Sequence, residues 1–419
     1  MSVDGLLFLA HRLPYPPNKG DKIRSFHLLR HLARRYRLYL GAFIDDADDW
    51  QYADALAPYC AEIKLFALHP RRSKLKSLSG LLTGEALTLP YYRNAALLHW
   101  ATQRARDGSV TRGLAFSSAM GQFMPQGLTR TVMDMVDVDS DKWTQYAPAQ
   151  TWPLSWLYAR EARKLGLWEA RMAQRFDATL LVSGAEAALL QQRVPQAQAK
   201  ITAFENGVDA EYFSPEREYP NPYAADARAI VFTGVMDYWP NIDAVSWFAK
   251  QIFPTIRKQV PDAQFTIVGS RPTPEVQNLA RAPGVVVTGS VPDVRPYLAH
   301  AACAVAPLRI ARGVQNKVLE AMAMARPVVA TPQAAEGIRA RAGMDFALAQ
   351  EAAAFARAVA HPLLHGDAAM GRAARAGILV NYDWERNLSA VDDCFEPNLD
   401  TVFSDPDPMR AYARKIHPA

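Results

Sequence analysis

Short apolar runs alternate with amphipathic stretches along most of the chain. The runs at 5–10 and 37–44 predict buried strands, and the segment 21–35 between them has apolar residues at helical spacing. Further predicted elements are strands at 113–118, 130–137 and 178–184 and a helix at 156–177. Strands that alternate with helices in this way predict a parallel sheet with helices on both faces.

The same alternation starts again in the second half. Strands are predicted at 229–235, 264–270, 284–291, 303–308 and 327–331, and helices at 241–259, at 294–301 and from about Asn316. The polar, turn-rich segment 205–218 lies between the halves. We therefore predict an α/β chain of two doubly wound, Rossmann-like domains that face each other across a deep cleft.

The predicted domain bounds follow from this pattern. Residues 1–205 form an N-terminal domain and residues 206–380 form a C-terminal domain. A last helix over 381–396 is predicted to return to the N-terminal domain. The Pro-rich segment 397–419 is predicted to be extended or disordered.

Composition supports a globular, cytoplasmic protein. Of the 419 residues, 50% are apolar and 21% are charged, which is typical of folded domains. The three cysteines have no Cys-x-x-Cys spacing and no nearby histidine cluster, which argues against a zinc site or a disulfide framework. No apolar run is long enough to span a membrane. The first residues resemble a strand and not a signal peptide.

The net charge of +5 is unevenly distributed. Eight Lys and Arg residues fall within 12–37 against the single acid Asp21, and the segment 71–84 adds four cations beside an apolar run. A solvated surface is one interpretation. The other is peripheral contact with an anionic membrane surface, at the inner face of the cytoplasmic membrane. We find no motif typical of nucleic-acid binding.

Several motifs occur in a characteristic order. They are "NGVDAEYFSP", "FTGVMDYWPNIDAVSWF", "FTIVGS", "VTGSVPDVRPYLAHAACAVAPL" and "NKVLEAMAMARPVVAT", which together cover most of residues 205–335. This order resembles a GT-B glycosyltransferase of the retaining family 4 type. With "LPYPPNKGDKIRSFHLLRHL" and "VMDMVDVDSDKW" in the first half, the chain looks most like sugar transferases associated with exosortase (PEP-CTERM) exopolysaccharide loci.

The resemblance assigns a role to Glu320. In this family the second Glu of a Glu-x7-Glu motif accepts hydrogen bonds from the ribose hydroxyls of a nucleotide sugar, and a carboxylate suits a vicinal diol. The amides at the start of its helix point toward the diphosphate. The donor-binding residues implied there are Gln315, Asn316, Val318 and Leu319. The alternative is an ordinary helix-surface carboxylate.

The sequence also departs from the family pattern. Arg312 stands where the first Glu is expected, and the loop "TGVMDYWPNID" lacks the Arg and Lys that usually neutralise the diphosphate. We predict that Lys317, with Arg309 or Arg312, replaces them. Lys317 could instead be a solvated lysine, although a cation at a helix start is disfavoured by the helix dipole.

Other candidate residues have structural alternatives. Gly20 follows the first strand and, as the resemblance implies, would let the backbone approach the donor phosphate or the acceptor, or else it is a plain turn glycine. Gly234 is a strand-end turn that would border the nucleotide. Asp137 would orient the acceptor hydroxyl or act as its base, or else cap a turn. Asn241 would contact the donor or cap the next helix, and the Val291 backbone would hold the base. His11 and His27 are interpreted as structural or surface residues.

The function implied by the resemblance is transfer of a sugar from a nucleotide-diphosphate sugar to a glycan or polyprenyl-linked glycan in exopolysaccharide synthesis. Retention of configuration is expected, with Glu320, Lys317 and Asp137 as catalytic residues. We expect neither a metal nor a further cofactor. The alternatives are a non-catalytic GT-B scaffold that binds a nucleotide or glycan, and a nucleotide-sugar epimerase.

Overall fold

The computed structural model describes residues 4–17, 19–311 and 313–396. Arg312 and the tail 397–419, on which two of the predictions fall, lie outside the described residues. The chain divides into two compact units. The first unit contains residues up to Leu180, Leu190–Thr202 and the residues from Leu388, and the second contains Leu181–Leu189 and Ala203–Asn387.

The first sheet has seven strands in the order β3-β2-β1-β4-β5-β6-β7. They are β1 (Gly5–Ala10), β2 (Arg37–Ile44), β3 (Cys60–Ala67), β4 (Arg112–Phe116), β5 (Arg130–Val136), β6 (Ala178–Leu181) and β7 (Ile201–Ala203). The pairs among β1 to β5 are parallel. Strand order reverses between β1 and β4, so their carboxyl ends form a topological switch point, where ligands bind in open α/β sheets.

Helices connect these strands. They are α1 (Gly20–Leu32), α2 (Pro70–Ser77), α3 (Ser79–Thr83), α4 (Thr88–Tyr92), α5 (Ala95–Arg106), α6 (Asp139–Tyr146), α7 (Leu154–Arg175) and α8 (Gly184–Arg193). A fully buried ion pair joins α1 to β5: Arg24 Nε lies 2.8 Å from Asp134 Oδ2, and neither side chain is exposed. Two charges buried at such a distance hold each other in place, because either one alone would be an uncompensated charge in the core.

The second sheet has six strands in the order β10-β9-β8-β11-β12-β13. They are β8 (Arg228–Thr233), β9 (Ala263–Val268), β10 (Val285–Gly289), β11 (Cys303–Ala306), β12 (Val328–Ala330) and β13 (Ala347–Leu348). All their pairs are parallel. The switch point of this sheet lies between β8 and β11.

The remaining helices follow the same alternation. They are α9 (Trp239–Trp247), α10 (Phe253–Gln259), α11 (Pro274–Asn278), α12 (Arg295–His300), α13 (Asn316–Ala323), α14 (Pro332–Ala335), α15 (Ala352–His365), α16 (Ala368–Asn381) and α17 (Trp384–Phe395). Part of α17 belongs to the first unit, where Asp392 lies 3.0 Å from His31 Nε2 of α1 and pairs with Arg35.

The predicted α/β class of two Rossmann-like domains with parallel sheets is confirmed. The predicted strands at 5–10 and 37–44 match β1 and β2 in full. The helix predicted at 241–259 is confirmed, because α9, a π-helical stretch over Phe248–Ile252 and α10 follow one another without a break. Strand β3 was not predicted, since its residues are only partly buried and lack an apolar run. Within the described residues, no helix combines the length and apolar character needed to cross a membrane.

Candidate functional site in the second unit

The loops that follow β8 and β9 are joined backbone to backbone. Gly234 N–H donates to Val268 O at 3.0 Å, and Met236 N–H donates to Ser270 O at 2.8 Å. A Cβ atom at Gly269 would lie 1.6 Å from Gly234 O, and Gly269 has a φ of 155°. Glycine is therefore required at Gly269, and the two loops form one fixed edge beside the switch point.

The Lys317 side chain extends from the first turn of α13 to this edge. Its Nζ donates to Asn241 Oδ1 at 2.5 Å and lies 4.3 Å from the ring centroid of Phe232 on β8. Asn241 Nδ2 donates to Val235 O at 2.9 Å, which orients Oδ1 toward the lysine. Lys317 thus places an amine at the end of β8, beside the loop that the sequence showed to lack cations.

Gly234 leaves the space that this amine occupies. A Cβ atom built at Gly234 would lie 2.8 Å from Asn241 Nδ2 and 3.2 Å from Lys317 Nζ. The first distance is shorter than real Cβ contacts allow. Gly234 was predicted to border the nucleotide, and in the structure it borders Asn241 and Lys317.

Burial perturbs both ionisable groups on this face of α13. Burial lowers the pKa of Lys317 to about 7, and Glu320 opposes that shift. Burial raises the pKa of Glu320 to about 7, and Lys317 opposes that shift. Each group is therefore poised to change its charge when a ligand arrives. An anion beside Lys317 would restore its full positive charge.

Helix α13 begins without a side-chain cap. Gln315 is the residue before its first turn, and its carbonyl accepts the N–H groups of Val318 at 2.9 Å and Leu319 at 3.4 Å. The amides of Val318 and Leu319, predicted to face the diphosphate, are thus engaged within the helix. The N–H groups of Asn316 and Lys317 precede them and have no helical partner by position. Asn316 Oδ1 is buried and lacks a hydrogen-bond partner among the described residues.

Three other predicted donor-binding residues are described by their contacts and positions within the second unit. Arg309 forms a double hydrogen bond with Asp243 of α9, with its Nε 2.9 Å from Oδ2, so that a carboxylate already partly neutralises it. Val291 follows β10 and packs partly buried against the core of this unit. Asn241 lies inside α9 and does not cap it, because Tyr238 precedes the helix.

In the first unit, Gly20 and Asp137 lie at the carboxyl edge of the sheet. Gly20 is the first residue of α1. Asp137 Oδ2 and Asp139 Oδ1 both accept hydrogen bonds from Lys142 Nζ, at 2.8 and 2.9 Å. Asp137 is thus bound in an ion pair and caps no helix, while its Oδ1 is buried without a partner among the described residues.

His11, interpreted from the sequence as a structural or surface residue, lies at the first unit's switch point. His11 follows β1, and its ring stacks on Phe116, the last residue of β4, with centroids 5.8 Å apart. Its Nε2 lies 3.3 Å from Asp21 Oδ2, to which Arg12 also donates at 2.6 Å. Burial alone would raise the pKa of Asp21, but His11 and Arg12 hold it well below its usual range. The available signal was a histidine directly after the first strand.

Among the described residues, no group of three or more His, Cys, Asp or Glu side chains is arranged to hold a metal ion. Asp137 and Asp139, the carboxylates of the "DVDS" segment, instead share the ammonium group of Lys142.

Comparison with known proteins identifies the class of the chain. Residues 227–364 match the family model described as glycosyl transferases group 1. This segment contains both Lys317 and Glu320. At the level of sequence, no curated protein matches the chain.

Solved structures match nearly the whole chain. Sucrose-phosphate synthase from Thermosynechococcus elongatus is 17% identical, with 96% of this chain and 99% of that chain covered and a TM-score of 0.68. Anabaena HepE, solved with UDP and glucose, is 15% identical, with coverage of 93% and 98% and a TM-score of 0.62. WaaG, a glycosyltransferase involved in lipopolysaccharide biosynthesis, is 14% identical, with coverage of 94% and 100% and a TM-score of 0.64.

At these identities the structural likeness concerns the fold, which is GT-B, while the family match gives the enzyme class. The chain is a GT-B glycosyltransferase.

Replacing Gly234 of the glycosyltransferase by alanine tests the steric requirement. The new Cβ would displace Asn241 and Lys317, so the free energy of unfolding measured in urea should fall by about 1 kcal/mol or more. Gly377→Ala is the matched control, because a Cβ at that helical position meets nothing within 4 Å. Unchanged stability in Gly234→Ala would show that Asn241 and Lys317 do not need this space.

Lys317→Met tests whether the buried amine lowers stability. The unfolded chain keeps this lysine protonated to about pH 10, whereas the folded protein releases the proton near pH 7. Between these values the unfolded state binds more protons, so wild-type stability rises with pH. Lys317→Met has no such group, so its stability lacks this rise with pH. The free energy of unfolding of the variant minus that of wild type should therefore be largest near pH 7 and become smaller toward about pH 9.

Urea unfolding at both pH values measures this difference. Lys142→Met is the control, because Asp137 and Asp139 raise the pKa of Lys142 against the opposing effect of burial. That variant leaves two carboxylates without their cation and should be destabilised at both pH values. If Lys317→Met were less stable than wild type near pH 7, the amine would stabilise the fold, and the claim that its burial lowers stability would be wrong.

Proposed function

We propose that this glycosyltransferase moves a sugar from a nucleotide-diphosphate sugar to a glycan or lipid-linked glycan acceptor in exopolysaccharide synthesis. The observation that supports the donor assignment is the amine of Lys317 at the carboxyl end of β8, on the same helix as Glu320. HepE, which has the same fold, was solved with UDP and with UDP-glucose. A uridine nucleotide is therefore the first donor to test.

The proposed roles follow from charge and position. Lys317 and the first N–H groups of α13 stabilise the negative charge that develops on the leaving diphosphate. Glu320, in its carboxylate form, accepts hydrogen bonds from the ribose hydroxyls. As a diphosphate binds, Lys317 takes up a proton and exchanges its contact with Asn241 for one with a phosphate oxygen. The positive charge of Lys317 then neutralises the diphosphate, as a bound metal ion would.

The acceptor is proposed to bind at the switch point of the first unit. His11 and Asp137 are the candidates to contact its hydroxyl, since both follow strands at the carboxyl edge. The transfer forms a bond from the acceptor oxygen to the anomeric carbon and breaks the bond from that carbon to the diphosphate. We propose retention of configuration, with the leaving phosphate oxygen as the acceptor of the hydroxyl proton.

Two substitutions separate ribose from phosphate recognition. Lys317→Ala should weaken UDP binding at least tenfold and leave uridine binding nearly unchanged, because only the diphosphate contacts the amine. Glu320→Ala should weaken both ligands and abolish sugar transfer. Its thermal unfolding midpoint should stay close to that of wild type, because removal of a buried carboxylate also removes its desolvation cost.

Calorimetry with UDP, uridine and, in parallel, GDP, ADP and dTDP provides these affinities. Release of UDP from UDP-glucose and mass spectrometry of glycan products measure turnover. Equal loss of UDP and uridine binding in Lys317→Ala would remove the phosphate role. Nucleotide binding without any turnover of a nucleotide sugar would favour the non-catalytic scaffold, which the substitution at Arg312 suggests.

A further inference from the structure

A helical segment of the first unit exposes its leucines to solvent. Helices α2 and α3 are joined at Leu78, which keeps helical backbone angles, so that residues 70–83 run as one nearly continuous helix. Its leucines are exposed by 71% (Leu75), 47% (Leu78), 38% (Leu81) and 92% (Leu82). Leu75, Leu78 and Leu81 follow at intervals of three, and Leu82 is four residues from Leu78 and seven from Leu75, so all four lie on one side of the helix.

The inward face of this helix is small and polar. Ser73 and Gly80 are the buried residues of α2 and α3. A surface helix of a water-soluble domain normally buries its apolar stripe and exposes its polar one. Here the arrangement is reversed, which indicates that an apolar environment covers the leucines in the working protein.

Cations flank the leucine face. Arg71, Arg72 and Lys74 are exposed and form no ion pair within the described part of the chain. The segment 69–84 contains no carboxylate. Two of these cations lie in the first turn of α2, where the helix dipole disfavours positive charge. Their position is therefore unfavourable for the isolated helix and suits an anionic partner.

Two exposed tryptophans lie at the start of α7, the helix that contacts α3. Arg160 of α7 donates to Gly80 O at 2.6 Å, which fixes α7 against α3. Trp156 lies one helical turn before Arg160 and is 54% exposed. Trp152 and Leu154, at the start of α7, are 81% and 45% exposed. Tryptophan is enriched at membrane–water interfaces, where its amphipathic ring lies at the level of the headgroups.

Three cations of the other basic segment are engaged within the unit. Within residues 12–37, Arg24 is fully buried against Asp134, and Lys22 Nζ lies 2.7 Å from Asp49. Arg12 is held by Asp21 and Asp45. These cations are neutralised by carboxylates within the unit. They are therefore not available to an anionic partner, whereas Arg71, Arg72 and Lys74 are exposed.

We propose that this face, the α2–α3 surface, docks on an anionic phospholipid membrane. The surface consists of Arg71, Arg72, Lys74, Leu75, Leu78, Leu81, Leu82, Trp152, Leu154 and Trp156. The leucines and tryptophans enter the interface between headgroups and acyl chains, and the cations bind lipid phosphates. The inference rests on this surface and not on the proposed donor. Docking at this surface would bring the chain to an acceptor that lies in the membrane.

Vesicle co-sedimentation of the full chain tests the proposal. Phosphatidylglycerol-containing vesicles should bind the wild type at least tenfold more tightly than pure phosphatidylcholine vesicles, and salt should weaken the binding. The triple variant Arg71→Ala, Arg72→Ala, Lys74→Ala should lose roughly 100-fold in affinity, because each cation near an anionic surface contributes a factor of about five. Leu78→Asp with Leu82→Asp should abolish sedimentation.

The controls separate docking from misfolding and from self-association. Leu379→Asp on α16 changes another exposed leucine, 51% exposed, and should bind like wild type. Because Leu82 is 92% exposed, the leucine variant should keep the wild-type unfolding midpoint. Brominated phosphatidylglycerol should quench wild-type fluorescence more than that of a Trp152→Phe, Trp156→Phe variant. Equal binding to neutral vesicles, or wild-type binding by the leucine variant, would overturn the proposal. Dimers of the full chain in gel filtration, without any vesicle binding, would also overturn it.

Discussion

The amine of Lys317 lies at the end of β8 on the amide of Asn241, and Gly234 leaves the room that this amide needs. That single contact depends on several others: Gly269 must also be glycine for the two loops to meet, and Asn241 must be oriented by Val235 O to receive the amine. The arrangement is unfavourable for stability, because it places a cation at a helix start and removes it from water. Such local cost is typical of sites kept for function.

Much of the fold could be predicted from the sequence, because buried parallel strands such as β1 and β2 are continuous apolar runs that few other structures explain. The hypothesis that Lys317 replaces the missing loop cations was also accessible, since a missing charge in one loop and an added charge in another can be compared residue by residue. Its role stays a prediction, and the structure adds the position of the amine at the end of β8. The long-range partners were not accessible. Arg24 and Asp134 are 110 positions apart, so nothing local showed that this arginine is buried.

The same limit applies at the site. Arg309 was grouped with Lys317 because the two are close in sequence, but its pairing with Asp243 depends on α9 packing beside the loop. The partners of His11 were not accessible either, because its stacking on Phe116 requires the strand order. Likewise, the basic character of residues 12–37 suggested a charged surface, whereas Arg12, Lys22 and Arg24 are paired with carboxylates. Composition gives the number of charges, but only tertiary contacts determine which of them stay available.

A crystal structure of the protein with UDP tests the central claim most directly. The account predicts a phosphate oxygen within hydrogen-bond distance of Lys317 Nζ, with the Lys317–Asn241 contact broken or shared and the ribose hydroxyls on Glu320. A diphosphate bound elsewhere, with Lys317 still donating only to Asn241, would contradict it and make the lysine a structural element of the β8 edge.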